Sequence, residues 1–142
     1  MISSSYQFIF ALQPKSFRKR KKMRNQPKYN LFKNTGYALS GLKDIMKNET
    51  SFKLEIIIFF FLIILLFIIN ISLLSKVIMF TSLSIVLIAE VINSAIERVV
   101  DLVTLEHNEM AGRAKDIGST AVFLSITIAI VVWLSILINE FL

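Results

Sequence analysis

Leu73-Leu-Ser-Lys-Val-Ile-Met-Phe-Thr-Ser-Leu-Ser-Ile-Val-Leu-Ile-Ala-Glu90-Val-Ile-Asn93-Ser-Ala-Ile-Glu97-Arg-Val-Val-Asp101 begins as a membrane-length apolar segment and ends as a polar one. Between Met79 and Ile88 it carries no charge. Helical spacing then places Glu90, Glu97 and Asp101 (i, i+7, i+11) within ~20° of one line, flanked by Asn93 and Ser94. An ionisable side chain at the edge of hydrocarbon costs at least ~2.5 kcal/mol and marks a functional site by default. A stripe of three is a working surface.

Two further apolar segments bracket this one. Ile56 to Ile69 is rich in Ile and Phe, and Leu54 extends it across Glu55. Gly118 to Ile138 has Ser and Thr as its only polar side chains. Each approaches the ~20 residues that cross a bilayer, so three spans are expected, at about 54–70, 73–92 and 118–138. The hydrophobic fraction of 55% and mean hydropathy of +0.67 exceed what a soluble globule carries. The expected class is an all-α membrane protein of one domain.

Charge is distributed unevenly. Residues 1–53 hold twelve Lys and Arg against two acids, and residues 54–142 hold four against eight. By the bias of basic residues toward the cytoplasm, the N-terminus is expected inside and the Asn70–Ser75 connection outside. A second connection, about Arg98 to Asp116, is expected inside, and the C-terminus outside. The excess of positive charge fits anionic headgroups; no nucleic-acid partner is expected. Leu31, Ala38, Leu39, Leu42, Ile45 and Met46 recur at helical spacing among lysines, which predicts an amphipathic helix in the inner interface. The competing reading is a cytoplasmic helix packed on the bundle. Residues 1–28, with the cluster Arg18-Lys-Arg-Lys-Lys22 behind a short apolar run, read as a disordered basic extension, and Met23 would serve equally well as a start. Residues 29–142 form the membrane domain.

The chain has no cysteine and one histidine, which excludes disulfides and thiolate metal sites and leaves oxygen ligands of the kind that suit Mg²⁺. It has no Gly-x-x-x-x-Gly-Lys-Ser/Thr loop. A channel-like oligomer without catalysis is the alternative from another class, but a channel needs acids along a route, and here they gather at one end.

Glu90-Val-Ile-Asn-Ser-Ala-Ile-Glu97, Val99-Val-Asp101 and Ala111-Gly-Arg-Ala-Lys-Asp-Ile-Gly-Ser119, with Gly36-Tyr37, Gly41-Leu42, Asn48-Glu49 and Phe52 upstream, resemble the prokaryotic diacylglycerol kinase family over about residues 29–138. The resemblance implies a trimer with composite active sites in the cytoplasmic (inner) membrane. It also implies transfer of the ATP γ-phosphate to the hydroxyl of diacylglycerol, giving phosphatidic acid, or of undecaprenol in a related branch. It assigns Glu90 as catalytic base beside the lipid, and Glu49 and Glu97 as Mg²⁺ and ATP ligands. Tyr37, Glu106, Lys115 and Asp116 become ATP contacts, Ser119 opens the third span near the lipid hydroxyl, and Asn93 and Asp101 support the site. Asn30, Ala38, Leu39 and Asn108 depart from the enterobacterial pattern, removing an ATP-side cation and polar contacts of the surface helix. His107 reads as a loop residue.

Overall fold

The computed structural model describes residues 30–141, so the 1–28 extension lies outside the described residues, as does residue 142. Four helices follow one another: α1 (Leu31–Asn48), α2 (Thr50–Ile68), α3 (Leu73–Val103) and α4 (Glu109–Phe141). The last three are long and apolar enough to cross a membrane, as the sequence led one to expect.

Asn30 starts α1 by accepting the Lys33 amide at 3.1 Å, one of the donors every helix start leaves without an intrahelical partner. Within residues 37–48 the helix buries only Ile45, and Leu39, Leu42 and Met46 stay exposed. That pattern is the amphipathic helix of the sequence reading, with most of its apolar face left uncovered. The helix stops at Glu49, which is extended (φ −101°, ψ 117°). Lys53 of α2 reaches back to the Lys47 carbonyl at 2.8 Å, bringing a cation to the negative end of the helix dipole.

From Ile56 onward α2 is apolar on every side, the composition of a helix in lipid rather than of one against water. The turn at 69–72 is short, and Ser72 caps α3 by accepting the Ser75 amide at 3.0 Å. Within the spans the hydroxyls bond to carbonyls of their own helix: Thr81 to Val77 at 2.8 Å, Ser84 to Phe80 at 2.9 Å, Ser125 to Val122 at 2.7 Å. A hydroxyl satisfied this way can face lipid without leaving a polar group unpaired.

The helices are longer than the spans. α3 runs 31 residues, or about 46 Å at 1.5 Å per residue, against a hydrocarbon core of ~30 Å. No Gly or Pro interrupts it from Leu73 to Val103. Asn108 then caps α4 by accepting the Met110 and Ala111 amides at 3.0 and 3.1 Å. The expected connection from Arg98 to Asp116 therefore shrinks to 104–108, and Arg98, Arg113, Lys115 and Asp116 are helical. Ser119 lies ten residues into α4, at the start of the expected 118–138 span.

α3 and α4 form the principal pair, with α2 against α3. Near the 69–72 turn, Leu66, Met79 and Trp133 make the buried apolar cluster. The Trp133 indole donates to the Met79 carbonyl at 3.3 Å, and Ser75 donates to Glu140 at 2.8 Å.

Candidate functional site

Moving along α3 away from that cluster, the buried residues change from apolar to polar. Glu90 is 5% exposed, Asn93 7% and Ser94 4%. Asn93 is buried where α4 crosses closely at Gly118. A Cβ built there would collide with Asn93 Oδ1, so only glycine admits the amide at this depth. Asn93 Nδ2 donates to Glu97 Oε1 at 2.9 Å, an i,i+4 bond that fixes the Glu97 carboxylate on the helix face below Glu90. Asn93 Oδ1 is buried without a hydrogen-bond partner among the described residues, as is Glu55 Oε2. Polar atoms left this way are rare in proteins and each asks for a reason.

The stripe is graded: Glu90 is buried, Glu97 half-buried and Asp101 exposed. Asp101 belongs to a second group. Its Oδ1 accepts from Lys115 Nζ at 2.6 Å, joining the ends of α3 and α4, and that hydrogen bond holds the ammonium charged beyond its usual range. Asp101, Glu106, Lys115 and Asp116 line one cleft of about 380 Å³ at the 104–108 loop, which also includes His107. Asn93 thus lies with the buried group, and Asp101 and Glu106 with the cleft.

Among the described residues Glu49 hydrogen-bonds to neither group. Arg98 of α3 donates through Nη2 to Glu49 Oε1 at 3.0 Å and through Nη1 to Asp44 Oδ2. The bond to Glu49, then that to Asp44, pushes the guanidinium further up from an already high value. Tyr37 and Ser119 are exposed, and neither side chain makes a hydrogen bond among the described residues. One chain therefore assembles Glu90–Asn93–Glu97, Asp101–Lys115 beside Glu106 and Asp116, and Glu49–Arg98, while Tyr37 and Ser119 stand apart.

For a metal, no group of three or more His, Asp or Glu side chains comes together among the described residues. The donors expected from the sequence, Glu49 and Glu97, are held by different partners, Arg98 and Asn93. Two hard oxygen donors suit Mg²⁺ where nucleotide phosphates complete the shell, the ordinary way a protein holds that ion.

Two residues matter more in the structure than in the sequence. In the sequence Arg98 signals only topology. Glu55 is a gap in the first span, yet it lines an apolar groove of about 420 Å³ with Phe59, Leu83, Ile126 and Trp133. The signal for Glu55 was available, since it is the lone acid within that span.

Comparison with known proteins gives a family and relatives. Residues 36–137 match the family model described as prokaryotic diacylglycerol kinase. The chain is 41% identical over 108 residues to a diacylglycerol kinase of Haemophilus influenzae, covering 76% of this chain and 92% of that protein. It is 36% identical over 105 residues to one of Pseudomonas aeruginosa, covering 74% and 85%. With one of Escherichia coli K12 it shares 34% over 111 residues, covering 78% and 91%.

Proposed function

The chain belongs to the prokaryotic diacylglycerol kinase family, hence is a membrane lipid kinase, and from that premise we propose that it moves the γ-phosphate of ATP to the hydroxyl of diacylglycerol, giving phosphatidic acid and ADP. The observation that carries the proposal is the buried carboxylate of Glu90, one helical turn from an Asn93–Glu97 pair and on the same helix as the acid that holds Lys115.

Phosphoryl transfer requires little covalent work from a protein; it requires two substrates held in line, charge on the phosphates offset, and a route for the hydroxyl proton. Glu90 accepts that proton as the lipid oxygen attacks phosphorus and the bond to the ADP oxygen breaks. Its burial at the end of a span lets it meet a hydroxyl that stays with its acyl chains, and Ser119 stands near the same hydroxyl. Lys115 and Asp116 contact the nucleotide, with Tyr37 and Glu106 at its edge. Asn93 holds Glu97, and Asp101 holds Lys115. Glu49 and Glu97 would hold Mg²⁺, which when bound supplies positive charge on the phosphate oxygens.

The three side-chain groups in one chain do not include Tyr37 and Ser119, which fits a site completed in a homotrimer. The charge bias supports an inner-membrane protein with its N-terminus and this site on the cytoplasmic side, where ATP is.

The test is to purify the protein in detergent and supply ATP-Mg²⁺ with diacylglycerol or undecaprenol, following phosphate into lipid. Phosphatidic acid is the expected product. Product mainly from undecaprenol reassigns the acceptor, and no product from either lipid overturns the kinase reading.

A further inference from the structure

Glu49 occupies the single residue between α1 and α2, and its side chain makes no cap to the helix that follows. Its hold comes from far along the chain, through the Arg98 bond at 3.0 Å. The same guanidinium takes Asp44, one turn before the end of α1, and Asp44 Oδ1 accepts from Asn48 Nδ2 at 2.7 Å. One planar cation thus ties the last turn of α1, the acid at the joint and the far part of α3. A guanidinium can do this because its fork presents donors in two directions from a rigid plane; an ammonium offers a single point of charge. Arg98 follows Glu97 directly, but successive helical residues point ~100° apart, so Glu97 turns to Asn93 while Arg98 turns to Glu49.

We propose that Arg98 is a positioning residue that sets Glu49 for the metal-nucleotide and clips α1 to α3 through Asp44. The role toward nucleotide rests on the lipid-kinase reading; the clip does not. Holding Glu49 by one oxygen removes rotamer freedom that binding would otherwise have to remove. The Glu49 side chain is 28% exposed, so it remains within reach of a ligand while it is held.

The experiment uses the absence of cysteine from the chain, which makes introduced cysteines unique labels. Spin labels at Ser40→Cys on α1 and Leu102→Cys on α3 report the distance across the clip, in full chains diluted with unlabelled protein. A second measurement follows Mn²⁺ binding with a non-hydrolysable ATP analogue by its electron paramagnetic resonance signal. The distance distribution is expected to broaden in Arg98→Gln and in Asp44→Asn. Arg98→Gln is expected to weaken Mn²⁺-nucleotide binding about threefold, the scale of a partly exposed ion pair. Arg98→Lys should recover part of this. In turnover, the half-saturating metal-nucleotide concentration should rise by more than the maximal rate falls.

Unchanged distance and unchanged Mn²⁺ affinity in Arg98→Gln overturn the proposal. Weaker Mn²⁺ binding with an unchanged distance also overturns it, because Arg98 then touches nucleotide instead of placing Glu49. A parent protein that binds no Mn²⁺-nucleotide overturns the kinase reading and the positioning role together, and the distance distributions still decide whether the clip exists.

Discussion

Near the 69–72 turn, α2, α3 and α4 meet through Leu66, Met79 and Trp133; further along α3, the α3–α4 contact is Asn93 against Gly118. The first contact is apolar, with one indole hydrogen bond. The second buries a carboxylate, an amide and a hydroxyl within five residues, Glu90 to Ser94. Lipid tails are as apolar as leucine, so an apolar side chain gains little by leaving lipid for protein. Contact at the Trp133 end therefore rests on shape and dispersion, which neighbouring side chains can adjust. Contact at the Glu90 end rests on polar groups that must find partners once water and lipid are excluded, so its geometry is narrow. Stability and chemistry are expected to separate along the same helix pair.

The strongest way to break that separation is Glu90→Gln. The amide keeps size and burial and removes the proton acceptor. Turnover is expected to fall ~10²–10⁴-fold, the usual worth of a general base, with helicity by circular dichroism and nucleotide binding retained. Loss of folding in this variant would show that the carboxylate is structural, and unchanged turnover would remove Glu90 as base.

Gly118→Ala sharpens the comparison at smaller scale. One added methyl drives Asn93 Oδ1 aside, and the Asn93–Glu97 bond of 2.9 Å moves with it. Displacing a group by about 1 Å near the chemistry can cost ~10²-fold, so a loss of about ten- to a hundredfold in turnover is expected. In an Asn93→Ala background the same methyl meets no amide and should cost little more. A double-mutant cycle on turnover measures this; additive losses would mean that Gly118 acts through something other than Asn93.

The two ends were unequally legible in the sequence. Hydropathy located the three spans because it measures how many residues lipid will accept. It did not show that α3 continues to Val103 or that α4 begins at Glu109, because helix length follows backbone hydrogen bonds and caps rather than membrane thickness. The uninterrupted run after Glu97 and the Asn108 cap were the available signs. Glu90, Asn93 and Glu97 were legible since i,i+3 and i,i+4 spacing lies within one helix. Arg98 was not, because its partners Asp44 and Glu49 lie 54 and 49 residues away, and helical periodicity says nothing about pairs across elements. The closeness of Gly118 to Asn93 belongs to the same class, since no pattern in one segment reports how near another passes.

At the Trp133 end the decisive substitution is the mildest. Trp133→Phe removes the indole donor to the Met79 carbonyl while keeping an aromatic ring against Leu66 and Met79. That carbonyl keeps another side-chain donor, since Ser82 Oγ also bonds to it at 2.8 Å, so no buried acceptor is orphaned. The expected loss is therefore only about 0.5–1 kcal/mol, the scale of one hydrogen bond between membrane helices, plus what the smaller ring gives up in packing. Thermal or denaturant unfolding in detergent should register that shift, while lipid phosphorylation per folded molecule should not change. Should turnover fall along with stability, the two ends would be coupled through the rigid α3–α4 pair, and the division between an adjustable apolar contact and an exacting polar one would fail at its least costly test.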